Sequence, residues 1–219
     1  MWLRRAIATT LLSFAVAGLF SPAPLRADGA LALVVIGDSL SAGYGLPGKD
    51  AFPVKLETAL KTRGYQVSVE NAGVSGDTTA GGRARLAWAI GSNPGAVILE
   101  LGANDALRGL EPEKAYANLA AMLDELAQKK IPVLLAGMKA PPNMGDEYAS
   151  EFDAIFMRLD KAYDIILYPF FLAGVAGDPS LNQDDGIHPT ARGVDVIVEN
   201  IVPYVERLLE QAAAAAGRS

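Results

Sequence analysis

Five short apolar runs, separated by stretches of helical periodicity, constrain the fold of this chain more than any other feature. The runs are Leu31 to Ile36, Tyr65 to Val69, Ala96 to Leu101, Pro132 to Met138 and Ile165 to Tyr168. Runs of this length, broken by glycine or polar clusters, read as strands. Between them lie helical patterns at Phe52 to Leu60, Arg83 to Ile90, Glu113 to Lys129 and Tyr148 to Ala162. In the third of these, Leu119, Met122, Leu123 and Leu126 recur at three and four. A last helix opens near Pro189 with Val194, Ile197, Val198 and Ile201 on one face. Pro203 is expected to kink or split it, because proline lacks the N–H of the helical ladder. The five alanines and Gly-Arg-Ser that follow are expected to fray. Strands alternating with helices imply an α/β fold, a mostly parallel five-stranded sheet covered by helices on both faces. Ligands of such sheets bind at the carboxyl ends of the strands. Polar residues directly after strands are therefore the ones to inspect.

Composition removes several kinds of chemistry first. The chain has no cysteine and a single histidine. Disulfides, thiolate metal sites, cysteine nucleophiles and zinc clusters of His and Cys are excluded together. No EF-hand spacing appears, although a carboxylate-only calcium or magnesium site stays open; no metal and no cofactor are expected. Residues 1–27 read as a signal peptide: Arg4 and Arg5, then an apolar run from Ile7 to Phe20, then small residues and prolines up to Ala27. That run is short for a membrane span, so an uncleaved anchor is the lesser reading. Residues 28–219 then form one domain, large enough to bury a core without staples. The leader carries three arginines and no acid, so its removal takes the formal net charge from −6 to −9. An acidic surface offers no footprint for nucleic acid.

Three segments after strands carry candidate chemistry. The first is GDSLSAGYG, residues 37–45, where Ser39 stands at the carboxyl edge of the first strand. Backbone N–H groups there can hold a developing oxyanion. An isolated Gly-Asp-Ser would read better as a helix cap, and the GxSxG elbow of ordinary α/β hydrolases is absent. The second is GAND, residues 102–105, whose Asn104 can donate to an oxyanion or simply make a turn. The third is DDGIHPT, residues 184–190, where Asp185 and His188 are three apart. A carboxylate on Nδ1 would leave Nε2 free to take a serine proton. The bland alternative is a structural histidine. A fourth segment, NAGVSGDTT at residues 71–79, contributes Gly76, whose backbone permits a close approach.

The joint order of GDS, glycine, GxND and DxxH resembles the SGNH (GDSL) hydrolase family, and most closely its bacterial periplasmic thioesterase and lysophospholipase branch. GDSLSAGY, SGDT, RARLAW, LRG at 107–109, PFF at 169–171 and DDGIHP carry the likeness, from about Leu31 into the final helix. The resemblance implies a three-layer flavodoxin-like α/β/α fold and hydrolysis of carboxylic esters and thioesters. It implies Ser39 as nucleophile, His188 as base and Asp185 behind the histidine. Ser39, Gly76 and Asn104 are implied as the oxyanion hole. Ala103 stands where relatives often have glycine, and Gly73 where a bulkier side chain is usual, which suggests a looser backbone there.

Leu107 and Leu110 offer one apolar wall, and Pro141, Pro142, Asn143 and Met144 another. These walls suit fatty acyl or aryl groups, or they only pack the loop bases. The expectation is a monomeric, periplasmic or secreted enzyme acting on small acyl esters or thioesters, with no stable membrane insertion once the leader is removed. The competing readings are a carbohydrate O-acetylesterase of the same fold, a peptidase with the same triad and a non-catalytic envelope-binding module.

Overall fold

A computed structural model describes residues 30–91 and 94–217. The expected leader, residues 1–27, lies outside the described residues. The strands are β1 (Leu31–Gly37), β2 (Val67–Gly73), β3 (Ala96–Glu100), β4 (Val133–Ala136) and β5 (Ile166–Tyr168). The helices are α1 (Ser39–Ala42), α2 (Phe52–Thr62), α3 (Thr79–Ala84), α4 (Leu86–Ala89), α5 (Ala103–Leu107), α6 (Pro112–Gln128), α7 (Asp146–Ala162) and α8 (Ala191–Ala216). Two 3-10 turns, Gly48–Asp50 and Pro142–Met144, complete the set.

The sheet runs β2-β1-β3-β4-β5 with every neighbouring pair parallel. This is the α/β architecture that the alternation of runs implies. Strands β3 and β4 are buried along their whole length, which explains why they read as continuous apolar runs rather than alternating ones. Strand β2 is an edge, and there the pattern alternates: Val67 is buried while Ser68 and Glu70 are exposed. From β1 the chain passes through α2 to β2 in one direction, and from β3 through α6 to β4 in the other. Right-handed crossovers therefore place α2 and α6 on opposite faces. Helix α8 returns to pack on α2, while α6 packs on α7 and α3. Reversal of strand order beside β1 opens a crevice at the carboxyl edge between β1 and β3, where ligands of this sheet order bind.

The structure departs from the sequence reading in five places. Strand β2 continues to Gly73, because Asn71, Ala72 and Gly73 pair in register with Val35, Ile36 and Gly37. Pairing with a central strand overrides the weak strand propensity of those residues. The single helix expected over 83–90 is two helices divided at Arg85, which is drawn into the interior. Helix α5 falls where only a turn was expected. Helix α8 is one uninterrupted helix with Pro203 inside it. Buried Ile201, Val202 and Val205 hold both sides of the missing rung against the core. Alanine is the strongest helix former and Ala212 is buried, so the alanine tail is helical through Ala216 instead of frayed.

Candidate active site

Strand β1 delivers a tight turn at the carboxyl edge of the sheet. Asp38, fully buried, caps α1 by accepting from the Leu40 N–H at 3.0 Å. Ser39 is therefore the first residue of the helix and not its cap, which leaves its hydroxyl free for other work. Its backbone N–H is among the helix-start donors that have no intrahelical partner. A Cβ on Gly37 would strike Ser41 and Glu100, so the turn needs glycine to pass over the Glu100 side chain.

The histidine arrives on a loop between β5 and α8. Asp185 Oδ1 accepts from the N–H groups of Ile187 (2.9 Å) and His188 (3.0 Å). Its other oxygen lies 2.6 Å from His188 Nδ1. The His188 N–H, then its imidazole and the Ile187 N–H, hold the Asp185 carboxyl down at about 2. An ionised carboxylate only accepts, so Nδ1 carries the imidazole proton. Nε2 is then the acceptor, 2.9 Å from Ser39 Oγ. The Tyr44 ring lies against the imidazole with centroids 4.5 Å apart.

Two further donors face the same place. Asn104, in α5, gives one amide hydrogen to Asp38 Oδ2 at 3.0 Å and keeps the other. Gly76 sits in a turn closed by the Asp77 N–H on the Val74 carbonyl at 3.1 Å. Its φ of +85° is the only left-handed value in that turn, which marks a type II turn whose third position favours glycine. Arg108 donates to the Gly76 carbonyl at 2.7 Å. Arg85 anchors the turn from beneath, binding Asp77 (2.6 Å) and the carbonyls of Ala72 (2.6 Å) and Gly37 (2.9 Å). This threefold grip is why the helix breaks at Arg85. Gly73 is not a loose point: it pairs with Gly37, and a Cβ there would meet the Ala42 backbone nitrogen at 2.5 Å.

Beneath the Ser39 turn two carboxyl groups are buried without a cation bound to either. Glu100 accepts from Ser41 Oγ (2.6 Å) and the Asp38 N–H (3.3 Å) through one oxygen, while its other oxygen has no partner. Burial, reinforced by neighbouring Asp38, pushes the Glu100 carboxyl well above its usual range. Burial also raises Asp38 to about 6, against the lowering effect of the Leu40 and Asn104 hydrogen bonds. The folded chain thus holds protons that the unfolded chain releases. Stability is fully present below the unfolded pKa values and falls as pH rises through the interval up to the folded ones. Glu100→Gln should flatten that decline. Its melting temperature should gain on the wild type between pH 4 and pH 7, by about 2–4 °C for each kcal/mol removed. Parallel melting curves over that range would show that Glu100 is ionised in the folded chain.

Ser39, Gly76, Asn104 and His188 open into one cavity of about 750 Å³. Leu107 and Pro142 line it, as do Pro141, Phe170, Leu172 and Ile187. Leu110 and Met144 stand outside its lining. Leu110 is exposed and its carbonyl receives the Tyr148 hydroxyl at 2.8 Å. Met144 lies over Gly109, where a Cβ would come within 3.2 Å of its Cε. Among the described residues no group of three or more His, Asp or Glu side chains could hold a metal ion. The sequence reading missed Tyr44, Arg85, Glu100 and Gln183. Glu100 had a signal, a lone acid ending an otherwise apolar strand; the other three act through contacts that no local pattern announces.

A serine, a histidine and an aspartate in hydrogen-bonded series at the carboxyl edge of a 2-1-3-4-5 parallel sheet define a class of α/β hydrolase without the nucleophile elbow. The chain belongs to the GDSL-like lipase/acylhydrolase family, whose profile matches residues 35–196. It is 40% identical over 178 residues to esterase TesA of Pseudomonas aeruginosa, covering 81% of this chain and 89% of that one. It is 39% identical over 185 residues to thioesterase 1/protease 1/lysophospholipase L1 of Escherichia coli K12, covering 84% and 88%. Among solved structures, AlinE4, an SGNH-hydrolase family esterase, superposes with a TM-score of 0.70 at 49% identity, covering 82% of this chain and 97% of that one.

Proposed function

We propose that this chain is an exported serine hydrolase of carboxylic esters and thioesters, working through an acyl-enzyme on Ser39. The observation that carries the proposal is the unbroken series Ser39 Oγ, His188 Nε2, His188 Nδ1, Asp185 Oδ2, at 2.9 and 2.6 Å. Ser39 Oγ attacks the acyl carbon as its proton passes to Nε2, and Asp185 stabilises the imidazolium that forms. The carbonyl oxygen, now an oxyanion, accepts from the N–H groups of Ser39 and Gly76 and from the free amide hydrogen of Asn104. His188 returns its proton to the departing alkoxide or thiolate. Water then attacks the acyl-enzyme, its proton taken by His188 and handed back to Ser39.

All five groups come from one chain, which supports a monomeric enzyme. Export rests on the sequence of residues 1–27, and no helix among the described residues is long and apolar enough to cross a membrane. The substrate reading rests on the cavity. A space of about 750 Å³ walled by Leu107, Pro141, Pro142, Phe170, Leu172 and Ile187 suits an acyl chain or an aryl group and is poorly matched to a sugar acetate. Hydrolysis of p-nitrophenyl esters from acetyl to palmitoyl should rise to a maximum on medium or long chains, with kcat/KM at least tenfold above acetyl. A sharp acetyl optimum would point to a carbohydrate O-acetylesterase, and no hydrolysis of any ester to a binding module.

A further inference from the structure

The Ser39–His188 pair joins two segments that are far apart in sequence and have little else in common. The nucleophile segment, residues 37–45, is built into the sheet. The histidine loop is not: residues 184–187 are all exposed, and its stem is closed by a single bridge between Asn182 and Pro189. Something must fix the height and tilt of that loop over Ser39.

Besides the Tyr44 ring that lies against the imidazole, Gln183 is placed to do it. Its main-chain N–H donates to the His188 carbonyl at 2.7 Å, and its carbonyl accepts from Gly186 at 2.8 Å. Its side-chain amide donates to the Pro189 carbonyl at 3.0 Å and, across the site, to the Tyr44 carbonyl at 2.8 Å. Two carbonyl partners require the nitrogen, so the orientation of the carboxamide follows from the chemistry. Gly45, at φ +72°, gives it room: a Cβ there would strike Gln183 Oε1. Among the described residues, only two hydrogen bonds join residues 37–45 to residues 182–190, the Ser39–His188 pair itself and this one.

We infer that Gln183 is a positioning residue, a clasp that holds the whole Asp185–His188 unit at attack distance from Ser39. It touches neither substrate nor reacting atoms. The inference rests on the proposed function, since it assigns the clasp to that same reaction. Asp185 and His188 lie on one loop and shift together when the clasp is released. Release therefore changes the Ser39–His188 distance and leaves the Asp185–His188 bond intact.

The test compares wild type with Gln183→Met, of similar length without donors, and Gln183→Glu, of the same shape without donors. Steady-state kinetics on one p-nitrophenyl ester, the pH profile of kcat/KM and the melting temperature are measured for each. Misplacement of a reacting group by about 1 Å costs on the order of 10²-fold. Both variants should lose kcat by about 10- to 100-fold, with KM within about threefold. The acid limb of the Gln183→Met profile should stay where it is in wild type, because the Asp185–His188 contact survives; Gln183→Glu, which brings a new charge near the imidazole, is read by kcat and KM alone. Melting temperatures should stay close to wild type. A kcat within twofold of wild type, a loss confined to KM, a displaced acid limb in Gln183→Met or an activity loss that follows a fall in melting temperature would each overturn the clasp. Ser39→Ala separates this from the functional reading. Wild-type turnover that does not need Ser39 defeats the reading itself; serine-dependent turnover with full kcat in the Gln183 variants defeats only the clasp.

Discussion

Replacing Ser39 with alanine should abolish turnover, lowering kcat by about 10⁴- to 10⁶-fold. The substitution removes one oxygen from the first residue of α1. Asp38 holds the cap, so the helix start keeps its hydrogen bond to Leu40. The Ser39 N–H, the Gly76 N–H and the Asn104 amide all stay in place. Substrate should therefore still bind, and KM or the inhibition constant of a product fatty acid should change by less than about threefold. What is lost is the hydroxyl that stands 2.9 Å from His188 Nε2. A residual rate from binding and the oxyanion donors alone is expected. Mass spectrometry after mixing with a slow ester should find an acylated wild-type chain and an unmodified variant. A Ser39→Ala protein that keeps wild-type kcat would remove the mechanism altogether.

Asp185→Asn should cost nearly as much, about 10⁴-fold in kcat. The asparagine carbonyl can still accept from the Ile187 and His188 N–H groups, so the loop keeps its shape. Its amide nitrogen then faces His188 Nδ1 and donates to it. That forces the imidazole proton onto Nε2, where it points at Ser39 Oγ and blocks proton transfer. The loss arises from the wrong tautomer, not from a missing contact. His188 is the only histidine in the chain, so one ¹⁵N-labelled imidazole can be read by NMR without assignment work. The protonated nitrogen should switch from Nδ1 in wild type to Nε2 in the variant. The same tautomer in both, with activity lost, would mean that Asp185 acts chiefly by its charge on the imidazolium.

The parts of this molecule that are legible in its sequence are those set by local chemistry. The fully buried strands β3 and β4, apolar but for Glu100, the amphipathic α6 and α7, and the three-residue spacing of Asp185 and His188 can be read without a third dimension. The errors share a different cause. Arg85 sits in a helical pattern but is pulled out of it by Asp77 in the turn after β2 and by the carbonyls of Ala72 and Gly37 at the ends of β2 and β1. Asn71 to Gly73 have the composition of a turn, and only pairing with β1 makes them strand. Pro203 carries a strong local penalty that burial on both sides outweighs. In the cavity the backbone decides: Leu107 turns inward on α5 and lines the wall, while Leu110, three residues on, lies past the end of that helix and outside it. Gln183 and Tyr44 carry no signal at all until the loop is folded over the nucleophile.

The distribution of labour around the cavity has a further consequence. Every group assigned to bond-making or to charge stabilisation stands on the turns after β1, β2 and β3 or on the loop before α8. The Pro141–Pro142 wall, by contrast, belongs to the segment between β4 and α7, which supplies no reactive group. Inheritance can therefore act on the two separately. Insertions, deletions or wholesale exchange of residues 139–145 would redraw the set of acceptable acyl groups while the reaction machinery is passed on untouched. Such an arrangement lets one ancestral enzyme diversify into many diets.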